Sequence, residues 1–234
     1  MGYYTRAKGF ADISAGTITS ILQQATFPIL AAVQNDKEKL VSVYSRMIRM
    51  SSFFIIPMMT LIALLAKPIV ILLLTEKWVA VIPLLQWMVF ARIFLPMSAI
   101  NMNLLNAIGR SDLFLKVDLA KFPLTVIAMI ITIPLGVKAM IIGHVVTSGI
   151  AFFFNAYLPG KYYGYGGLAQ LRDMLPIFLS TFLMAIFVYF IILLIDDLLL
   201  QLLLGAFSGF FGYIIACYFL KVNELKVLRE YLSI

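Results

Sequence analysis

Seven stretches of about 20 predominantly apolar residues divide this chain, and that pattern constrains its fold more than anything else in it. They are Ile13–Gln34, Met47–Ala66, Val79–Ala107, Leu113–Pro134, Val137–Leu158, Met174–Ile195 and Leu198–Leu220. Each is long enough to cross the hydrocarbon core of a bilayer as a helix. Lipid offers no partners to backbone N–H and C=O groups, so a spanning segment satisfies them internally as a helix or laterally in a closed barrel. The period-2 alternation of a barrel strand is absent; Ile69-Val70-Ile71-Leu72-Leu73-Leu74 is one unbroken apolar run. Composition agrees: 63% of the 234 residues are hydrophobic and 12% charged, against about 25% charged in a soluble domain. A soluble enzyme is excluded. The expected fold class is all-α, a polytopic bundle of about seven helices forming a single domain over residues 1–234, with a tail over 221–234.

Charge placement sets the orientation. With the Gln34–Met47 loop placed in the cytoplasm, twelve Lys and Arg fall on the cytoplasmic side and five outside, and Arg92 lies within a span. Basic residues favour cytoplasmic loops, so the N-terminus is expected outside and the C-terminus inside. A chain that starts outside with a polar first helix inserts poorly alone. The expectation is therefore the C-terminal part of a longer protein.

Few residues offer chemistry. One cysteine, Cys217, and one histidine, His144, give no CxxC pair and no His-rich zinc set. The eleven carboxylates all fall at the ends of these stretches, in loops or in the tail, and read as solvated charges. No metal ligand set, cofactor motif or catalytic triad stands out, so neither a cofactor nor enzymatic activity is expected. Membrane enzymes of envelope assembly carry large outer loops, and the outer loops here are short.

Arg92 is the exception, near the middle of Val79–Ala107. A guanidinium in lipid costs at least about 2.5–3.5 kcal/mol unless it meets water or a partner. Helical spacing places it on a small, polar stripe with Pro96, Ala99, Asn103 and Asn106. The stripe is either a structural feature or a cavity wall presenting a fork suited to phosphate oxygens. The first span has its own stripe of Asp12, Gly16, Thr19, Gln23 and Thr26, either helix–helix glue or an aqueous lining. For His144 a structural hydrogen bond is expected over a proton relay, since no carboxylate is near in sequence. Pro28, Pro57, Pro96 and Pro123 permit kinks. Pro68–Thr75 is expected to continue the second helix beyond a kink or to lie at the interface, and Pro159–Arg172 to form an interfacial loop.

Several segments together resemble the Wzx-type polysaccharide (O-antigen) flippases of the multidrug/oligosaccharidyl-lipid/polysaccharide exporter superfamily. They are Gly2-Tyr3-Tyr4-Thr5-Arg6-Ala7 before a polar helix ending Phe27-Pro28-Ile29-Leu30, then Gln34-Asn35-Asp36, Thr75-Glu76-Lys77-Trp78 and Leu105-Asn106-Ala107-Ile108-Gly109-Arg110. The likeness is strongest over Gly2–Lys121. It implies twelve to fourteen helices in two bundles, this chain being the C-terminal half and the N-terminal half its missing partner. It also implies a substrate, a polyprenyl-pyrophosphate-linked oligosaccharide carried to the outer leaflet for polysaccharide or lipopolysaccharide biosynthesis in a bacterial inner membrane. On that basis Arg92 is the candidate for the anion, with Gln23, Gln24, Asn103 and Asn106 as sugar contacts. A drug or metabolite exporter of the same superfamily is the alternative, and it is expected to carry intramembrane carboxylates. A membrane-embedded glycan polymerase or ligase, or a scaffold, fits less well. The partners expected are the lipid-linked oligosaccharide and the bilayer, with no nucleic acid.

Overall fold

In the computed structural model, which describes residues 2–232, helices occupy nearly all of the chain and no strand occurs among the described residues. Ten α-helices follow one another among the described residues: α1 (Gly2–Ala32), α2 (Lys37–Leu64), α3 (Ala66–Leu74), α4 (Ile82–Arg92), α5 (Leu95–Ala107), α6 (Ser111–Thr132), α7 (Val137–Tyr163), α8 (Gly167–Leu193), α9 (Leu198–Phe219) and α10 (Asn223–Leu232). A 3-10 turn, Glu76–Val81, leads into α4. Among the described residues, five segments are long and apolar enough to cross a membrane: Lys37–Leu64, Glu76–Ala107, Val137–Tyr163, Gly167–Leu193 and Leu198–Phe219. The other two of the seven apolar stretches lie in α1 and α6, which have the length, at 31 and 22 residues, but are more polar. Gln23, Gln24 and several hydroxyls dilute α1, and Lys116, Asp118 and Lys121 charge α6.

Boundaries follow local chemistry. Asp36 caps α2 by accepting a hydrogen bond from the Lys39 amide at 3.0 Å, so α2 starts ten residues before the apolar stretch that marks it. Asp197 caps α9 through the Leu200 amide at 2.8 Å. Such side chains satisfy amides that the first helical turn leaves free. α3 is a separate short helix after a break at Leu65. The expected loop over Pro159–Arg172 shrinks to Gly164–Gly166, because α7 runs through Pro159 to Tyr163. Glycine makes that turn possible: Gly164 has φ +75°, and a Cβ on Gly160 would sit 2.7 Å from the Gly166 Cα.

α1 packs on α5 and α4, α2 on α8, α7 on α4 and α6, and α9 on α8. Lipid is as apolar as leucine, so close packing rather than expulsion from water holds such helices together. α9 shows the device. A Cβ on Gly205 would meet Leu65 Cδ2 at 2.6 Å, and one on Gly209 would meet Leu61 Cδ1 at 2.6 Å. Tyr44, Ile55, Met97, Ile100, Leu104 and Phe152 are fully buried in the centre. Phe122, Ile130, Phe182, Phe190, Phe207 and Phe210 point outward, as a lipid-facing surface requires.

Candidate functional site

The apolar stretch Val79–Ala107 is not one straight helix. It breaks between Arg92 and Leu95, where the Ile93 amide turns back to the Phe90 carbonyl at 3.3 Å. Pro96 stands in the first turn of α5, where its missing N–H costs nothing. Ser148 of α7 donates to the Ala91 carbonyl at 2.6 Å, answering one acceptor that the break leaves behind. Arg92 therefore sits at the C-terminal end of α4, where the helix dipole favours a cation.

Three helices meet there. Arg92 Nη2 lies 2.5 Å from Asp12 Oδ1 of α1, and Arg92 Nη1 lies 3.2 Å from His144 Nε2 of α7. The Arg92 side chain is 18% exposed and that of Asp12 42%. A guanidinium only donates, so His144 accepts through Nε2 and carries its own proton on Nδ1. The hydrogen bond expected of His144 is thus made with Arg92, and through Arg92 the ring joins a carboxylate 132 positions away in sequence. Asp12, just before the first apolar stretch, lies ten residues inside α1, because that helix starts at Gly2.

The remaining site residues divide. Asn103 donates through Nδ2 to the Gln23 backbone carbonyl at 3.1 Å, so α5 and α1 bring these two together. Arg92 and Asn103 thus both engage α1, but at Asp12 and Gln23, eleven residues or roughly 16 Å apart along the helix. The break at Arg92 interrupts the stripe expected from continuous helical spacing, and Pro96 and Ala99 are buried. Gln24 is exposed and Asn106 half-buried, and the partners of Arg92 are Asp12 and His144 rather than either of these. Arg110, at the end of the stripe, is bound instead to Asp112 through two hydrogen bonds of 2.9 and 3.0 Å, which hold that carboxyl below its usual value.

Two polar systems, one buried and one half-buried, escaped the sequence reading. Gln170 donates through Nε2 to Tyr44 Oη at 2.8 Å, to Asn101 Oδ1 at 3.0 Å and to the Tyr165 carbonyl at 3.2 Å, and it accepts from Asn101 Nδ2 at 3.2 Å. Tyr44 also donates to Asn101 Oδ1. Beside this cluster, Arg49 bridges Asp173 at 3.1 Å and Glu224 at 2.9 Å, and Tyr165 donates to Asp173 at 2.9 Å. Burial first, and then the bond to Asp173, raise the Tyr165 phenol above its usual pKa. Partners 124 and 175 positions from Arg49 leave no local pattern, and only an Arg two residues inside an apolar stretch hinted at them. Likewise Lys121 of α6 reaches Asn155 of α7 at 2.7 Å.

Two of the segments carrying the family resemblance, Gly2–Ala7 and Thr75–Trp78, meet in space. Tyr3 packs edge-on against Trp78, with ring centroids 5.5 Å apart, and the Arg6 guanidinium lies 5.7 Å from the Trp78 ring centroid. The start of α1 is thereby pinned to the 3-10 turn.

Comparison with known proteins gives a consistent setting. Residues 1–83 match the family described as "Polysaccharide biosynthesis protein". An uncharacterized membrane protein of Methanocaldococcus jannaschii is 28% identical over 187 residues, 78% of this chain and 36% of that protein. An uncharacterized membrane protein in the cps region of Klebsiella pneumoniae is 26% identical over 121 residues, 52% of this chain and 25% of that one. The chain thus matches only about a third and a quarter of these relatives' lengths. No solved structure matches the chain. The apolar helices and these likenesses support a multi-pass membrane protein that is similar, over residues 1–83, to a family of polysaccharide biosynthesis proteins.

Proposed function

We propose that the chain is the C-terminal half of a flippase that moves a polyprenyl-pyrophosphate-linked oligosaccharide from the cytoplasmic to the outer leaflet for polysaccharide or lipopolysaccharide biosynthesis. In this reading α1, the α4–α5 pair, and α2, α6, α7, α8 and α9 form seven spans in the inner membrane of a bacterium. The N-terminus is outside and α10 lies in the cytoplasm. A second bundle, the N-terminal half, forms the opposite cavity wall, and the protein transports without acting as an enzyme. The carrying observation is Arg92, a guanidinium among helices where two half-helices join, facing the polar side of α1. The family match over residues 1–83 supports it, because that segment contains all of α1.

Arg92 would attract the pyrophosphate, and Gln23, Gln24, Asn103 and Asn106 would meet sugar. A drug or metabolite exporter is the second reading, and Asp12, a carboxylate on α1 paired with Arg92, favours it. The test is polysaccharide exported per unit of folded protein. Arg92→Ala should lower that ratio, Arg92→Lys should keep part of it, since it retains the charge but not the fork, and Arg92→Glu should lower it most. A flat ratio across the three makes Arg92 a packing residue.

A further inference from the structure

We infer that Asp12 is a built-in anion: its carboxylate occupies the Arg92 fork until a phosphate-bearing ligand displaces it, so that loading the site releases α1 from α4. This deepens, and rests on, the reading of Arg92 as the anion site.

Arg92 presents two terminal nitrogens, and both are taken. Nη2 faces Asp12 Oδ1 and Nη1 faces His144 Nε2. A phosphate oxygen pair binds a guanidinium best through two parallel hydrogen bonds, and while Asp12 stays Nη2 already serves one carboxylate oxygen. The two competitors differ in how firmly they are held. His144 is neutral in this contact, whereas Asp12 supplies the opposing charge and is the more accessible of the ion pair at 42%. Asp12 is thus the partner an incoming anion replaces, on the Nη2 side, with His144 still holding Nη1. Lys8 stands one helical turn before Asp12 on α1 and is exposed. Lys8 and Arg92 against Asp12 leave one net positive charge for a ligand to meet. Once Asp12 lets go, the contact between α1 and the end of α4 loses its ion pair, and Asn103 still holds the Gln23 carbonyl further along. Binding would therefore loosen one end of the α1 interface and leave the other closed.

The test uses the full chain in phosphatidylcholine nanodiscs, as wild type, Asp12→Asn, Arg92→Gln and the double variant. Two probes separate the sources of the phosphate: inorganic pyrophosphate as the free anion, and geranyl pyrophosphate as the lipid headgroup. Asp12→Asn should tighten binding about tenfold, and Arg92→Gln should abolish it in both backgrounds. Tightening with both probes means that the site reads the anion itself; tightening with geranyl pyrophosphate alone means that it needs the lipid. If both probes bind the wild type but Asp12→Asn leaves affinity equal or weaker, Asp12 only positions Arg92, and this inference falls while the anion-site reading stands. If neither probe binds wild type or Asp12→Asn, both fall. Should Asp12→Asn not fold, the wild type answers alone. Dicyclohexylcarbodiimide labelling of Asp12, read by mass spectrometry, should quicken when the probe saturates the site, and unchanged or slower labelling overturns the inference.

Discussion

Replacing Gln170 with Leu should be among the more destabilising single changes available in this chain. Gln170 is fully buried, and its amide makes four hydrogen bonds that tie α8 to Tyr44 of α2, Asn101 of α5 and the Tyr165 carbonyl. In membrane proteins an interhelical hydrogen bond averages about 0.6 kcal/mol, which for four gives roughly 2.4 kcal/mol. Leucine also leaves the Asn101 amide and the Tyr165 carbonyl without these partners in a buried site, at about 1–3 kcal/mol for each group fully orphaned. The two figures describe the same lost bonds and do not add, and Nε2 shares two hydrogens among three acceptors. Leucine's similar bulk keeps the cavity contribution small, and the Tyr44–Asn101 bond survives, so a total of about 2–5 kcal/mol is expected. For a chain of 150–250 residues each kcal/mol moves Tm by about 2–4 °C, so the melting temperature should fall by roughly 5–20 °C. The protein carries its own reporter: Cys217 is its only cysteine and is fully buried, so a maleimide dye that fluoresces on thiol addition reads unfolding during a thermal ramp in detergent. Tyr44→Phe should cost less and should be non-additive with Gln170→Leu, because the two share a bond. A Gln170→Leu protein melting within 2 °C of wild type would refute the argument and make the cluster energetically neutral.

Two further outcomes are expected. Gly209→Leu should separate α9 from α2 and α8, because even a Cβ there meets Leu61 at 2.6 Å and Val188 at 3.4 Å; a loss of at least 2 kcal/mol by the Cys217 assay is expected, and unchanged melting would mean that α9 is not held by this contact. A reporter active only outside the cytoplasm, fused after Ile234, should be silent, and activity there would overturn the proposed orientation.

Helical class was legible because the bilayer leaves so few solutions. The apolar stretches mark helices even where their ends are misjudged, as at Gly2 and Lys37, since a polar helical extension into the interface lacks the apolar signal that locates a span. Arg92 was legible because charge inside an apolar run is conspicuous. Its partners were not. Asp12 sits in a polar segment where a carboxylate looks ordinary, and His144 is 52 positions away from Arg92. The break after Arg92 could be suspected from Pro96, but proline bends a helix as often as it ends one, and spacing alone placed Asn103 on a stripe that the break interrupts. Gln170, Asn101 and Tyr44 left no trace, because a buried amide is recognised only by the neighbours that satisfy it.

The join between α4 and α5 also settles a question of length. The segment Glu76–Ala107 has 32 residues, which as a straight helix would measure roughly 48 Å, against a hydrocarbon core of about 30 Å. A rigid rod of that size must tilt steeply or carry its ends far into the headgroups. Two shorter rods with a joint can instead lie at different angles and take up the excess within the thickness available. The joint falls eleven residues into α4, about 16 Å from its start, a length close to half the thickness of such a core. Membrane thickness, as well as sequence, thus has a hand in how deep the charge lies, and a thicker or thinner bilayer would be felt first as a change of angle at this joint.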